Sequence, residues 1–287
     1  MPIKSCFPTV DEPIRILSDL HLGHSASLAR DISQIQPLFL GARTVVFNGD
    51  TIEMRSPRDR EQADARLHAV HEFCAEQEAS SYFINGNHDP IISTLNHLEI
   101  DEGRVLVTHG DVLFHETSPH RPRRFRTSML DRRVADLSPE ELAHFEQILS
   151  TNKRVTAFVD DYGFNIPDGQ WGKFTTFMRQ TWPPRRLVHM VASWTNTPVN
   201  AINLVRAYRP HARVVVVGHT HLPGIWHRHG YTVINTGSFL PVLGRLAVDF
   251  EAGHVTVRKV DFRRGHFHLG RTLSRIPLRR RSAAAAA

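Results

Sequence analysis

Five short apolar runs that each end in polar residues constrain the fold of this chain more than any other feature. The run at 212–219 contains four consecutive valines and ends in Gly218 and His219. Similar runs lie at 14–19, 43–50, 81–89 and 104–111. β-Branched runs of this length, bounded by turn residues, are typical of strands that are buried on both faces. We therefore expect a sheet in the interior of the protein.

The segments between these runs predict how the sheet is covered. Helical patterns at 26–40 and 58–79 separate the first three runs. Strands that alternate with helices indicate an α/β fold, in which helices pack on the outside of the sheet. After Gly218 the chain returns to short β-like runs with turns near Gly230 and Gly253, which predict a closing antiparallel meander.

The stretch from 115 to 210 has a different pattern. Ser138 and Glu141 have the spacing of a helix capping box, and Thr197 predicts the start of a further helix that reaches Tyr208. This stretch is expected to be a helical insertion inside the α/β domain. The predicted organisation is therefore a core in two halves, 1–114 and 211–262, a helical insertion or cap at 115–210, and a basic tail at 263–287.

Composition places the chain among ordinary soluble globular proteins. Its 287 residues are 41% hydrophobic and 22% charged. No apolar stretch has transmembrane length, and the first residues lack the apolar segment of a signal peptide. The two cysteines, Cys6 and Cys74, are too few for a disulfide framework and are not clustered as metal ligands. These features predict a cytoplasmic protein.

Arginine supplies almost all of the positive charge in a chain of formal net charge +6. Because the arginine fork binds phosphate with two hydrogen bonds, a phosphate or acidic-lipid partner is one interpretation of this charge. The alternative is that the arginine bias reflects genome composition. Arg123, Arg124 and Arg126 follow the fourth strand-like run and are candidate contacts to a phosphate or an acidic headgroup. The alternative is that these arginines belong to a solvated helical face.

The residues after 262 are interpreted first as an ordinary basic tail. The alternative is peripheral contact with an anionic membrane surface, because arginines there are interspersed with apolar residues. These apolar residues are Phe267, Leu269, Leu273 and Ile276.

Side chains that can bind a metal ion follow each of the five predicted strands. Ligands of α/β proteins bind beyond the carboxyl ends of the strands, so these side chains are expected at one crevice. Residues two apart on an extended segment point to the same side, so each Asp-x-His or His-x-His pair would aim both side chains there. The candidates are Asp19, His21, Asp50, Asn87, His88, His109, His219 and His221.

The donor types narrow the identity of the ion. Carboxylates, imidazoles and one amide oxygen, without a thiolate, suit Mn²⁺, Fe or Zn²⁺. A single histidine after a strand is more often an ordinary residue than a ligand, but five strand ends share the pattern. The candidates outnumber the ligands of one ion, which indicates two metals that clamp a phosphoryl group.

Five motifs in this order, SDLHLG, FNGD, NGNHD, VTHGD and GHTHLP, resemble those of the calcineurin-like metallophosphoesterase superfamily. The resemblance covers about 14–111 and 212–250 and leaves the insertion unmatched. It implies an α/β fold in which a β-sandwich is flanked by helices in the order αββα. It also implies hydrolysis of a phosphate ester or pyrophosphate through a hydroxide that bridges two divalent ions, with Mn²⁺ expected and Fe or Zn²⁺ as alternatives.

The same resemblance implies a role for each motif residue. Asp19, His21 and His221 would hold the first metal ion. Asn87, His109 and His219 would hold the second, and Asp50 would bridge both. His88 would protonate or stabilise the leaving group, and Asp89 would orient His88. His24 is a further candidate, on the substrate side of the site.

Three narrower interpretations stay open. A helical insertion after the lone-histidine motif is similar to the UDP-2,3-diacylglucosamine hydrolases of lipid A synthesis, which usually carry arginine in place of His88. A nuclease of the superfamily would suit the basic charge, although the sequence lacks interleaved basic and aromatic residues that would track a strand. A non-catalytic scaffold is the third, although scaffolds tend to lose ligands and every ligand position is retained here. The expected substrate is a phosphorylated small molecule or a lipid-like phosphate.

Overall fold

A computed structural model of the protein describes residues 10–54, 57–114, 144–157, 185–241 and 244–278. Its strands are β1 (Ile14–Leu17), β2 (Thr44–Asn48), β3 (Ser80–Ile84), β4 (His97–Ile100), β5 (Val105–Thr108), β6 (Val214–Val217), β7 (Gly224–Arg228), β8 (Tyr231–Asn235), β9 (Leu246–Glu251), β10 (His254–Arg263) and β11 (His266–Pro277). Its helices are α1 (Pro57–Ala75), α2 (Phe145–Ala157) and α3 (Arg185–Tyr208), with short 3-10 helices at Ile32–Leu38 and Asp111–Leu113.

Two sheets contain these strands. The six-stranded sheet has the order β11-β10-β9-β1-β2-β3, and the five-stranded sheet has the order β4-β5-β6-β8-β7. Strands β1, β2 and β3 are parallel, and so are β5, β6 and β8. The five predicted strands correspond to β1, β2, β3, β5 and β6. Their carboxyl ends therefore belong to two facing sheets rather than to one.

Three apolar clusters show the layering. Side chains of both sheets share one cluster, which includes Ile16 from β1 and Val216 from β6 and forms the interior of a sandwich. The other face of the six-stranded sheet packs against the first 3-10 helix and α1, through residues such as Ile35 and Val70. The other face of the five-stranded sheet packs against α2 and α3. The protein is thus an αββα sandwich, as predicted.

The described helices of the 115–210 stretch are one outer layer of this sandwich. Phe145 and Leu149 of α2 and Val205 of α3 are buried against Val215 and Val233 of the five-stranded sheet. A strand flanked by two parallel neighbours needs such a cover, because both of its faces are apolar. The predicted capping box lies outside the described residues.

Two predictions of local structure are wrong. The helix expected to start at Thr197 is the second half of α3, which contains Pro198 in its interior. The Thr197 hydroxyl donates to the Ser193 carbonyl at 2.9 Å, one turn back in the same helix. The closing meander is also divided: β7 and β8 pair in the five-stranded sheet, whereas β9 and β10 pair in the other.

Much of the expected basic tail is ordered as an edge strand. β11 pairs with β10 along its length, with two register shifts in β10. Phe267 is fully buried and Leu269 packs against the core, so neither is placed for contact with a membrane surface. Leu273 is 42% exposed. Among the described helices, none is both long and apolar enough to cross a membrane.

Candidate metal centre

Loops that follow the carboxyl ends of β1, β2, β3, β5 and β6 meet at one end of the sandwich. Within the six-stranded sheet, the His21 amide donates to the Asp50 carbonyl at 2.8 Å. Within the five-stranded sheet, the Gly218 amide donates to the His109 carbonyl at 2.9 Å. Between the sheets, the His219 amide donates to Oδ1 of Asp19 at 3.1 Å. Backbone hydrogen bonds thus fix the loops that carry the predicted ligands.

The first ligand group consists of Asp19, His21 and His221. Their ligand atoms and an oxygen of Asp50 all lie within 4.8 Å of one another. The Nε2 atoms of His21 and His221 are 3.2 Å apart, and Nε2 of His221 lies 3.2 Å from Oδ1 of Asp19. Such a cluster of facing lone pairs fits a cation better than it fits a network of hydrogen bonds.

The second ligand group consists of Asn87, His109 and His219. Oδ1 of Asn87 lies 3.0 Å from Nε2 of His109 and 2.6 Å from Nδ1 of His219. Nδ1 of His109 lies 3.0 Å from the Asn48 carbonyl oxygen. A proton on Nδ1 satisfies this carbonyl and leaves Nε2 as the ligand atom, which is the usual way a backbone carbonyl orients a metal-binding histidine.

Asp50 lies between the two groups. Its Oδ2 is 3.7 Å from Nε2 of His21 in the first group, and its Oδ1 is 3.3 Å from Nε2 of His109 in the second. Oδ1 also accepts a hydrogen bond from the His88 amide at 2.8 Å. The carboxylate is fixed by the backbone and faces both groups, which is the arrangement a bridging ligand requires.

The ligand loops have a left-handed backbone. This conformation is uncommon for residues other than glycine and is concentrated at functional sites. Side chains of the Asp-x-His and His-x-His pairs therefore converge because both members have positive φ, and the extended conformation expected from the sequence is wrong. The residues concerned are Asp19, His21, Asp50, His219 and His221, with φ between 50° and 67°.

Two glycines beside the ligands allow close backbone approach. A β-carbon on Gly86 would lie 2.2 Å from Oδ1 of Asp50, and one on Gly218 would lie 2.1 Å from Oδ2 of Asp19. Both distances are far below van der Waals contact. A side chain at either position would displace a ligand carboxylate, which explains why glycine precedes the ligand motifs.

The pKa values of the histidines in the centre are shifted in different directions. Burial alone would lower the pKa of His21, but Glu53, Asp50 and Asp19 raise it to about 8. Burial is likewise outweighed at His109, whose pKa is raised to about 9 by Asp50 and Asp19. Burial and the neighbouring charge of His109 lower the pKa of His219 to about 3. The carboxylates attract positive charge strongly enough to protonate two of the ligands at neutral pH when no metal is bound.

A sequence model of the calcineurin-like phosphoesterase family matches residues 12–223. The chain belongs to this family. The resemblance read from the five motifs is therefore confirmed, while the narrower similarity to UDP-2,3-diacylglucosamine hydrolases stays a prediction. A search of the curated proteins finds no match.

Solved structures with a similar fold include three that differ in description. Vacuolar protein sorting 29 from Cryptosporidium parvum has 12% identity and a TM-score of 0.43, covering 94% of this chain and 100% of that one. A dimetal phosphatase from Danio rerio has 11% identity and a TM-score of 0.45, covering 93% and 100%. A predicted phosphoesterase from Streptococcus pneumoniae has 12% identity and a TM-score of 0.34, covering 90% and 95%. At these values the three structures say nothing about what this family member does.

Glu53 is a site residue that the sequence analysis missed. Its Oε1 and Oε2 atoms lie 2.9 Å and 2.8 Å from Nδ1 of His88, and its side chain is only 4% exposed. Although burial alone would raise the pKa of Glu53, His88 and His21 hold it well below its usual range. The only signal in the sequence was an acidic residue three positions after Asp50 in the same loop.

Asp89 has a different role from the one expected. Its carboxylate accepts hydrogen bonds from the backbone amides of Asp50, Thr51, Ile52 and Gly86, at distances from 2.6 to 3.2 Å. Glu53 therefore occupies the place beside His88 that the sequence analysis gave to Asp89. Asp89 instead fixes the loop that carries Asp50, so it acts on the centre through the backbone.

His24 lies near the first ligand group. Its ring centroid is 6.0 Å from that of His21, and its Nδ1 accepts a hydrogen bond from the Ala26 amide at 3.0 Å. Burial and the charge of His21 lower the pKa of His24 to about 4, so the ring is neutral at neutral pH. Arg123, Arg124 and Arg126 lie outside the described residues, and their contact with substrate stays a prediction.

Proposed function

We propose that this phosphoesterase hydrolyses a phosphate ester or a pyrophosphate with the help of two divalent cations. The observation that carries the proposal is the position of Asp50, whose two carboxylate oxygens face different ligand groups at 3.7 Å and 3.3 Å. A carboxylate shared in this way suits a pair of cations. With a single ion, the side chains of one ligand group would converge on a place that holds no cation.

The donors of the centre fit divalent cations. His21, His221 and the carboxylates of Asp19 and Asp50 turn their lone pairs toward one space. The first ion would be held by the first ligand group and the second by the second ligand group, with Asp50 shared. Imidazole, carboxylate and amide oxygen donors favour Mn²⁺, Fe or Zn²⁺, and we propose Mn²⁺. When bound, the two cations would neutralise charge on the phosphoryl group and lower the pKa of water.

The chain itself supplies the proton for the leaving group. Glu53 holds Nδ1 of His88 at 2.8 Å and thereby fixes the ring, so Nε2 is the atom that would transfer the proton. The backbone amide of His88 donates a hydrogen bond to Asp50, which places the His88 ring next to the shared ligand. His88 is at the edge of the centre, with 18% of its side chain exposed, where a leaving group can reach it.

The test is hydrolysis of two aryl substrates by the Mn²⁺-loaded protein, a phosphomonoester (p-nitrophenyl phosphate) and a phosphodiester (bis-p-nitrophenyl phosphate). We expect turnover of at least one, with complete loss when a chelator is added and recovery when Mn²⁺ is restored. Protein that binds Mn²⁺ but cleaves neither substrate, nor a nucleotide pyrophosphate, contradicts the proposal.

The lipid A alternative has its own test. UDP-2,3-diacylglucosamine should be offered under the metal conditions that give the highest aryl phosphatase rate. Product formation faster than with the aryl substrates would assign the narrower activity. Absence of product while an aryl substrate is cleaved would remove it.

A further inference from the structure

Helix α2 presents consecutive buried polar side chains, which is unusual for a helix that covers a sheet. Thr151, Asn152 and Lys153 are 7%, 3% and 4% exposed. Lysine is almost never fully buried unless its charge is paired. The sequence gives only a weak hint of this, because Lys153 looks like one of many surface cations.

The partner of Lys153 is Asp111, two residues after the ligand His109. Nζ of Lys153 lies 2.6 Å from Oδ1 of Asp111, and Nδ2 of Asn152 donates to Oδ2 at 2.6 Å. Asp111 is 1% exposed and begins the short helix that follows the β5 loop. Helix α2 therefore donates to both carboxylate oxygens of Asp111, in the loop that carries a ligand of the second group.

Helix α3 contacts the same region of the site. Nδ2 of Asn200 donates to the carbonyl of Leu113 at 2.9 Å, in the turn that follows Asp111. Nε1 of Trp194 donates to the carbonyl of Thr220 at 3.0 Å. Thr220 is the residue between the ligands His219 and His221. Both described helices of the 115–210 stretch thus bond to loops that carry predicted ligands.

A buried ion pair at this place adds no net charge to the centre. Such pairs contribute little to stability on average, because the cost of desolvation offsets the attraction between the charges. Such a pair does fix the relative orientation of the two segments that it joins, since both partners must keep a fixed geometry. Groups that orient a metal ligand through a hydrogen bond typically change metal affinity by about 10–100-fold when replaced. The contact of Lys153 with Asp111 would act on His109 through the backbone of the loop.

We propose that Lys153 is a positioning residue for the second ligand group: through Asp111 it fixes the loop of His109 in the geometry that a metal ion needs. This inference rests on the proposed function, because it assumes two cations. It makes the 115–210 stretch a part of the metal centre. The competing interpretation is that the pair only docks α2 on the sheet.

The same helix offers a matched control for docking. Oε2 of Glu146, near the start of α2, lies 2.9 Å from Nδ1 of His97 on β4, and its carboxylate accepts a hydrogen bond from Asn96. This contact docks α2 on β4. Asn96 also accepts a hydrogen bond at 3.1 Å from Asn85, in the loop after β3, but a glutamine at 146 can still accept from Asn96 and would leave that link in place. Glu146→Gln should therefore weaken docking but leave metal binding unchanged.

The experiment is calorimetric titration of metal-free protein with Mn²⁺, with the two steps assigned by His219→Ala and His221→Ala. In Lys153→Met we expect the affinity of the second group for Mn²⁺ to fall about 10–100-fold, with the first group within threefold of wild type. The direction of the change in the second Mn²⁺ affinity distinguishes positioning from a simple charge effect. Charge alone would make the second step tighter, because removing Lys153 leaves the negative Asp111 near His109.

Each outcome decides between the interpretations. An unchanged or tighter second step in Lys153→Met, or an equal weakening in Glu146→Gln, overturns the inference while leaving the proposed function intact. Wild-type protein that binds fewer than two ions overturns both. If Lys153→Met does not fold, the double variant Lys153→Met/Asp111→Asn removes the unpaired buried charge and should show the same selective loss.

Discussion

Two loops of the centre, one from each ligand group, are held by different parts of the protein. The loop of the first group that carries His21 is bonded to the β2 loop of the same sheet, with the His21 amide on the Asp50 carbonyl at 2.8 Å. The loop of the second group that carries His109 is bonded through Asp111 to Lys153 of helix α2 at 2.6 Å. The His21 loop is thus held within the six-stranded sheet, whereas the His109 loop is also held by a helix of the 115–210 stretch.

The groups also differ in charge. The first contains the carboxylate of Asp19 and lies beside Glu53, whose Oε2 is 3.7 Å from Nδ1 of His21. The second contains the neutral amide of Asn87 in the corresponding place. With Asp50 common to both, the first group carries more negative charge and should bind the first cation more tightly. The second group should depend more on geometry, since it has less charge to compensate a misplaced ligand.

The largest effect is expected for a substitution of Asp50, which lies between the two groups. Asp50→Asn removes the charge that both groups share, so both ions should be lost and hydrolysis should fall to the background rate. Metal analysis after gel filtration and the aryl phosphate assay measure these two losses. His219→Ala and His221→Ala are the controls, because each should remove one step of Mn²⁺ binding. Near-normal turnover in Asp50→Asn would show that the carboxylate is not shared.

The sequence predicted the ligands because each motif places them directly after a strand. A β-branched run such as Val214–Val217 can hardly be anything but buried, and the residues after it must then lie at the end of a sheet. The pattern does not say to which sheet a strand belongs, so the division of β8 and β9 between two sheets was not predicted. Nor does it report the positive φ of His21 and His221, which is a product of the folded loops.

Residues that act through another residue were harder to find. Glu53 was missed because an acidic residue in a loop is usually solvated, and only the fold shows that its carboxylate is buried beside His88. Asp89 was given the role of Glu53 on the family resemblance, which implied that the residue after His88 in the NGNHD motif orients it. Neighbouring side chains in a tight turn point in different directions, and this one turns to the backbone of the β2 loop.

The next largest effect is expected for His88, which acts in proton transfer and not in metal binding. His88→Ala should lower kcat by about 10²–10⁴-fold, the usual contribution of a general acid. Both steps of Mn²⁺ binding should stay, because His88 belongs to neither ligand group. Steady-state kinetics with the aryl substrate that is cleaved, together with the Mn²⁺ titration, separate the two quantities. Loss of the first step would instead make His88 a ligand.

Glu53→Gln should have a smaller effect and should be visible in two ways. We expect kcat to fall by about 10–100-fold, as for other residues that orient a functional side chain. The pKa of His21 should also fall, because Glu53 is one of the groups that raise it. Histidine titrations by NMR on metal-free protein measure this shift. Wild-type kcat in Glu53→Gln would show that the contact with His88 does not position the ring for catalysis.

The smallest effect is the pH dependence of metal binding, and it distinguishes the two groups directly. In metal-free protein His21 has a pKa of about 8 and His109 a pKa of about 9. Below its pKa each imidazole carries a proton that the cation must displace, so affinity falls as the pH falls. The loss should approach about tenfold per pH unit for each ligand that must lose one proton.

The affinity of the first group for Mn²⁺ should therefore rise with pH and level off above about pH 8, where His21 has lost its proton. The affinity of the second group should continue to rise until about pH 9, because His109 keeps its proton longer. Titrations across this interval, in buffers of different ionisation enthalpy, report both the affinity and the protons released. If both steps level off at the same pH, the two groups do not differ in proton affinity. If they separate as expected, protein at pH 8 will hold the first ion near its full affinity while the second group is still competing with protons.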